Sequence, residues 1–133
     1  MFLNELSKEE KEKFISLSVY AAKANGEFAM EEMTMLEEYC KEMGIAFFNA
    51  DSISTMDEII EVYKNSDIVT KRIVILEMLG LLYADGNYDE KEAQFATEFA
   101  INIGLNEKEL AKQETLLKKY LEIMEEMVVA INI

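Results

Sequence analysis

Apolar residues recur along this chain at intervals of three and four, the period of an amphipathic helix, and no segment alternates as a strand does. Phe14, Leu17, Ala21 and Ala24 form one stripe, with Ile15, Val19 and Ala22 beside it, and predict a helix over 8–23. Ser7 and Glu10 before it have capping-box spacing, and Asn25-Gly26 ends it. Met33, Leu36, Cys40 and Met43 predict a second helix over 30–43, stopped by Gly44 with Ile45 in the apolar position of a Schellman motif. Residues 46–54 are the least regular stretch, with Phe47 and Phe48 expected to pack beneath it. Met56, Ile59, Ile60 and Tyr63 predict a third helix over 55–64, and Asn65-Ser66-Asp67 reads as a turn and cap.

The fourth helix, over 68–84, has a different pattern. Residues 73–84 are apolar except for Glu77 and Gly80, and a helix apolar nearly all round belongs at the centre of a domain. Glu77 is assigned to a narrow solvent-facing sliver, because a buried carboxylate is rare without a partner. Asp85-Gly86 closes this helix, the fifth spans 90–103, and Gly104-Leu105 repeats the Gly44-Ile45 stop. Asn106 and Glu109 have the spacing of another capping box, and the last helix spans about 107–131 with Leu110, Leu117, Leu121, Met124, Val128 and Ile131 in one stripe.

Part of this pattern is written twice, 60 residues apart. Ala24-Asn25-Gly26-Glu27-Phe28-Ala29-Met30-Glu31-Glu32 recurs as Ala84-Asp85-Gly86-Asn87-Tyr88-Asp89-Glu90-Lys91-Glu92. The match continues without a gap through Glu38/Glu98, Tyr39/Phe99, Gly44/Gly104 and Ile45/Leu105. A repeat of this kind sets the architecture. It implies two helix-loop-helix units, about 8–45 and 68–105, related by a pseudo-two-fold. The expected fold is all-α: one domain over 1–133, a compact bundle of about six to seven helices, with no Pro/Gly/Ser linker dividing it.

Composition narrows the chemistry. The formal net charge is -14, which opposes nucleic acid and anionic membrane surfaces and suits solubility, cations or basic partners. There is no histidine, which removes imidazole general-base chemistry, Ser-His-Asp triads and nearly every catalytic zinc site. The single cysteine, Cys40, cannot form an internal disulfide and aligns with Ala100 in the repeat, so it reads as a small buried residue. No apolar run approaches the ~20 residues that span a bilayer, and no basic region precedes an apolar one at the N-terminus. A soluble cytoplasmic protein, without nucleic-acid or membrane partners, is expected.

The chemistry-bearing motif is the second acidic loop. Asp85-Gly86-Asn87-Tyr88-Asp89 reads D-x-N-x-D, and oxygen ligands at alternate positions of a tight loop suit Ca²⁺ or Mg²⁺. Glu92, one helical turn beyond Asp89, is placed to close such a site. It is not an EF-hand, whose sixth and twelfth positions are Gly and Glu where this chain has Glu90 and Ala96. Helix capping competes for the same residues. Asp89 and Glu92 have capping-box spacing, Tyr88 sits where a hydrophobic staple would, and Gly86 suits a left-handed helix stop. Capping leaves Asp85 and Asn87 less explained. The first repeat has Asn25, Glu27 and Ala29 in the corresponding places but keeps Glu32, a candidate contributor across the pseudo-two-fold.

The paired Ala-(Asp/Asn)-Gly-x-aromatic-x-x-x-Glu segments, each followed twelve residues later by Gly and an aliphatic residue, resemble the tellurite-resistance TerB-like family over most of the chain. The resemblance implies an all-helical domain with internal pseudo-two-fold symmetry and acidic residues gathered on one face. It also implies proposed binding of metal cations, a link to tellurite and other stress responses, and no established enzymatic activity. The matching positions are Asp85, Gly86, Asp89 and Glu92 in the second repeat, and Gly26 and Glu32 in the first, with Asn25 and Glu31 as substitutes. The pattern is broken at Asn25 and Ala29.

Two functions follow as expectations. One is a non-catalytic acidic module holding a divalent cation through Asp85, Asn87, Asp89 and Glu92, with Glu32 contributing. The other is a protein-interaction or self-association domain without metal, suggested by nine methionines and the apolar Met127-Val128-Val129-Ala130-Ile131. Nothing in the sequence supplies an activated nucleophile, so an enzyme is not expected.

Overall fold

Each helix begins or ends where the sequence supplies a cap. The computed structural model describes residues 1–24, 30–45, 53–84, 86 and 88–132, with backbone alone at 30–32. A short 3₁₀ helix, Leu3–Glu5, precedes α1 (Lys8–Ala22), α2 (Met30–Met43), α3 (Met56–Lys64), α4 (Ile68–Leu82), α5 (Glu90–Asn102) and α6 (Glu107–Ile131). No strand occurs among the described residues. The oxygen side chains of Ser7, Thr55, Asp67, Asp89 and Asn106 each accept the backbone N–H three residues on, satisfying an otherwise orphaned donor. At Ser7/Glu10 and Asp89/Glu92 the capping box is reciprocal.

The elements recur at the 60-residue offset of the sequence repeat. α1 and α4 begin at Lys8 and Ile68, and α2 and α5 at Met30 and Glu90. Their stops match too. Gly44 and Gly104 take φ of 69° and 96°, a region that costs other residues strain. The next N–H returns to a carbonyl of the last turn: Ile45 to Cys40 at 3.0 Å and Leu105 to Ala100 at 2.9 Å. The predicted ends Asn25-Gly26 and the positions of Phe28, Phe47 and Phe48 lie outside the described residues.

α4 is the centre of the bundle, as its pattern predicts. It packs against α1, α2, α3, α5 and α6, and Ile73, Val74, Ile75, Met78, Leu79, Leu81 and Leu82 are all buried. Burying a side chain of this size is worth about 1.5–3 kcal/mol. Around it close Phe14 and Leu17 of α1, Leu36 and Cys40 of α2, Ile59 and Tyr63 of α3, and Phe99 of α5. Aromatic edges lock the layers: Phe14 against Tyr39 at 5.3 Å and Tyr63 against Phe99 at 6.2 Å between ring centres. α4 ends at Leu82, two residues before the predicted end at 84. Ala84 and Gly86 instead bond in short turns to Leu81 and Tyr83, both at 3.1 Å.

Glu77 corrects the sequence reading. It is not on a solvent sliver but 6% exposed within α4. It is tolerated there because the residues before α1 supply donors. One Glu77 oxygen accepts the Phe2 N–H at 2.8 Å and lies 3.0 Å from the Met1 ammonium. Glu42 of α2 receives the same ammonium at 2.7 Å and the Leu3 N–H at 2.8 Å. Two acids on neighbouring helices therefore strap the N-terminal segment over the bundle.

α6 packs on α4 and α5. Leu110 and Leu117 are buried, while every residue from Lys118 to Asn132 is exposed. No helix among the described residues is long and apolar enough to cross a membrane.

Candidate functional site

At the start of α5, the predicted acids are engaged in capping. Asp89 Oδ1 accepts the Glu92 N–H at 2.8 Å, and Glu92 Oε1 accepts the Asp89 N–H at 3.3 Å. Glu92 is 1% exposed, so its carboxylate faces the bundle rather than a solvent loop. A cap of this kind is worth about 1 kcal/mol. Gly86 has φ of 76°, and a β-carbon there would touch nothing, so backbone conformation rather than crowding is what selects glycine. Asp85, Asn87 and the side chain of Glu32 lie outside the described residues. Among the described residues, no group of three or more acidic or cysteine side chains is placed to hold a metal ion.

The same corner holds an aromatic arrangement that the sequence reading did not find. Tyr88 stacks on Tyr83 with ring centres 4.2 Å apart and planes 17° from parallel, and its hydroxyl donates to Glu114 of α6 at 3.1 Å. Burial, then the Glu114 carboxylate, push the Tyr88 hydroxyl well above the ordinary tyrosine pKa. The Tyr83 hydroxyl is buried without a hydrogen-bond partner among the described residues, and burial followed by Glu114 raises its pKa too. Lys118 Nζ stands 6.0 Å from the Tyr83 ring centre, at the outer limit of a cation–π contact. These contacts anchor the inner half of α6. Only the aromatic class of Tyr88 beside the loop signals them in the sequence.

A cavity of about 410 Å³ lies between α2, α4 and α6. Its α2 wall is Met35, Glu38, Tyr39 and Glu42; its α4 wall is Leu76, Glu77 and Gly80, continuing to Tyr83 and Ala84; its α6 wall is Leu117, Tyr120 and Leu121. A β-carbon at Gly80 would make only ordinary contact with Tyr39 Oη, 3.6 Å away. Tyr39 Oη donates to the Glu77 carbonyl at 3.1 Å. Burial, then the charges of Glu77 and Glu42, hold the Tyr39 hydroxyl far above its ordinary range, so it stays neutral and offers no base. Glu42 and Glu77 are already occupied by the N-terminal segment. The cavity is thus an apolar, aromatic cleft with Glu38 exposed at its rim, suited to hydrophobic side chains more than to a free cation.

The α6 wall of that cleft runs without a break into exposed surface. Leu110, Leu117, Leu121, Met124, Val128 and Ile131 share one face. The first two are buried in the bundle, while Leu121, Met124, Val128 and Ile131 are 39%, 42%, 50% and 81% exposed. Tyr120, Ile123 and Met127 widen the apolar arc on one flank. Lys118 and Glu125 lie on the other. No protein-family profile, curated protein or solved structure matches the chain.

Proposed function

We propose that this chain is a non-catalytic helical interaction module that engages a protein partner through the outer half of α6 and the cleft it borders. The observation that carries the reading is the stripe of α6. The face that buries Leu110 and Leu117 continues past the bundle through four more apolar residues with nothing over them among the described residues. Monomeric proteins rarely leave contiguous apolar patches above a few hundred Å² uncovered, and larger ones mark interaction sites. The two methionines on this surface, Met124 and Met127, are adaptable contact residues. The absence of histidine from the sequence agrees with a binding role rather than a catalytic one.

The TerB-like resemblance suggests a stress-related setting for such a module. It also suggests a divalent cation at the second acidic loop. That second reading rests on the D-x-N-x-D order of Asp85, Asn87 and Asp89, because Asp89 and Glu92 already serve the start of α5.

A photo-crosslinking side chain at Met124, compared with one at exposed Lys64 on α3, tests the interaction reading in cells. Protein-sized adducts are expected from position 124 and not from position 64. Adducts from neither, or equally from both, contradict it.

A further inference from the structure

We infer that the partner of the outer half of α6 is a second copy of this chain, its α6 laid antiparallel so that Leu121 of each copy packs on Met124 of the other. The inference rests on the interaction reading above and gives it an occupant. Leu110, Leu117, Leu121, Met124, Val128 and Ile131 fall at the a and d positions of a heptad, spaced by sevens and by alternating fours and threes. The two earlier a positions, Glu107 and Glu114, are acidic, so the continuous a/d seam begins at Leu117 and occupies the outer half of the helix, the part that the bundle leaves exposed. Within one chain that seam is covered only as far as Leu117, which is 6% exposed; Leu121 beyond it is 39% exposed.

Both flanks of the seam select the same register. With Leu121 opposite Met124 of the second copy, the second copy's Val128 comes to the mouth of the cleft walled by Leu117, Tyr120 and Leu121. On the polar flank, Lys118 then stands beside Glu125 of the second copy, and Glu125 beside its Lys118. On the apolar flank, Tyr120 meets Met127, again twice by symmetry. Opposite charges pair on one flank and apolar residues on the other, and at each end of the seam Ile131 falls opposite Glu114 of the other copy. Sliding the helices by one heptad would instead set Glu125 against Glu125. A parallel arrangement would give Lys118 and Glu125 no charged counterpart, because their flanking neighbours would be Gln113 and Tyr120. The two-fold contact is isologous and closes on itself, so it yields a dimer rather than a filament. Leu121, Met124, Met127, Val128 and Ile131, 39–81% exposed, supply the apolar face that a second copy would cover.

Sedimentation equilibrium of the whole chain tests this with charge swaps at exposed positions, each variant checked for native far-ultraviolet circular dichroism. The native chain is expected to dimerise. Lys118→Glu and Glu125→Lys each place like charges together twice and should weaken the dimer about tenfold. The double variant Lys118→Glu/Glu125→Lys restores both pairs and should recover the native dissociation constant within about threefold. Val128→Glu should leave only monomer, with an unchanged far-ultraviolet circular dichroism spectrum showing that it is folded. A native chain that remains monomeric at about 100 µM overturns the inference, as does a dimer indifferent to the single swaps or one that the double swap fails to restore. If the chain is monomeric yet position 124 still cross-links to a protein of another mass, the second copy is the wrong occupant and the interaction reading stands. Monomer and no adduct together remove both.

Discussion

Glu77→Ala is expected to lower folding stability by about 2 kcal/mol, with Glu77→Gln losing about half as much. The alanine leaves the Phe2 N–H without its carboxylate acceptor at 2.8 Å and removes one of the two anions holding the Met1 ammonium. The loss stays below the ~3–5 kcal/mol of a broken buried pair because the ammonium is half exposed and keeps Glu42. Glutamine retains an acceptor but not the charge. Urea denaturation at neutral pH measures both. The same strap makes stability depend on pH. Burial alone would lower the pKa of the Met1 ammonium, but the hydrogen bonds to Glu42 and Glu77 and their charges outweigh it and raise the value above 8.0. A pKa raised by folding contributes stability that is whole below the unfolded value and is lost as pH rises through the folded one. Native stability should therefore fall as pH climbs from 8.0, and the double variant Glu42→Ala/Glu77→Ala should flatten that slope.

Leu79→Ala should cost more, about 3 kcal/mol, and Met124→Ala in α6 almost nothing to the folding of one chain. Leu79 is 0% exposed on the helix that touches every other, so its loss combines transfer free energy with a cavity that close-packed neighbours cannot fill. Met124 is 42% exposed, so truncating it empties no space inside the bundle. Chemical denaturation of both variants at low protein concentration checks the contrast. Comparable losses would mean that Met124 is buried within the single chain in solution.

The contrast also marks what was legible in the sequence. Helix positions and stops were readable because they depend on residues within one or two turns: Ser7 with Glu10, Asp89 with Glu92, Gly44 with Ile45. The central place of α4 was readable from its lack of a polar face. Glu77 was misread because its partner, the Phe2 N–H, lies 75 residues away and carries no side-chain signature. The cleft was invisible for the same reason, since it exists only where α2, α4 and α6 converge. The Tyr83–Tyr88 stack and its bond to Glu114 join two helices across 26 residues. At the acidic loop, spacing correctly gave the cap but could not separate capping oxygens from ligand oxygens, because both uses favour carboxylates at a helix start. The heptad on α6 was legible as one stripe. That its outer half is left uncovered by the bundle was not, because periodicity says which face is apolar and not what covers it.

The melting temperature of the native chain as a function of its own concentration addresses self-association through α6 most directly. Dimerisation stabilises the folded state by mass action. A rise of a few degrees between about 1 and 100 µM is predicted, absent in Val128→Glu. A native melting temperature that stays constant across that range would contradict the account.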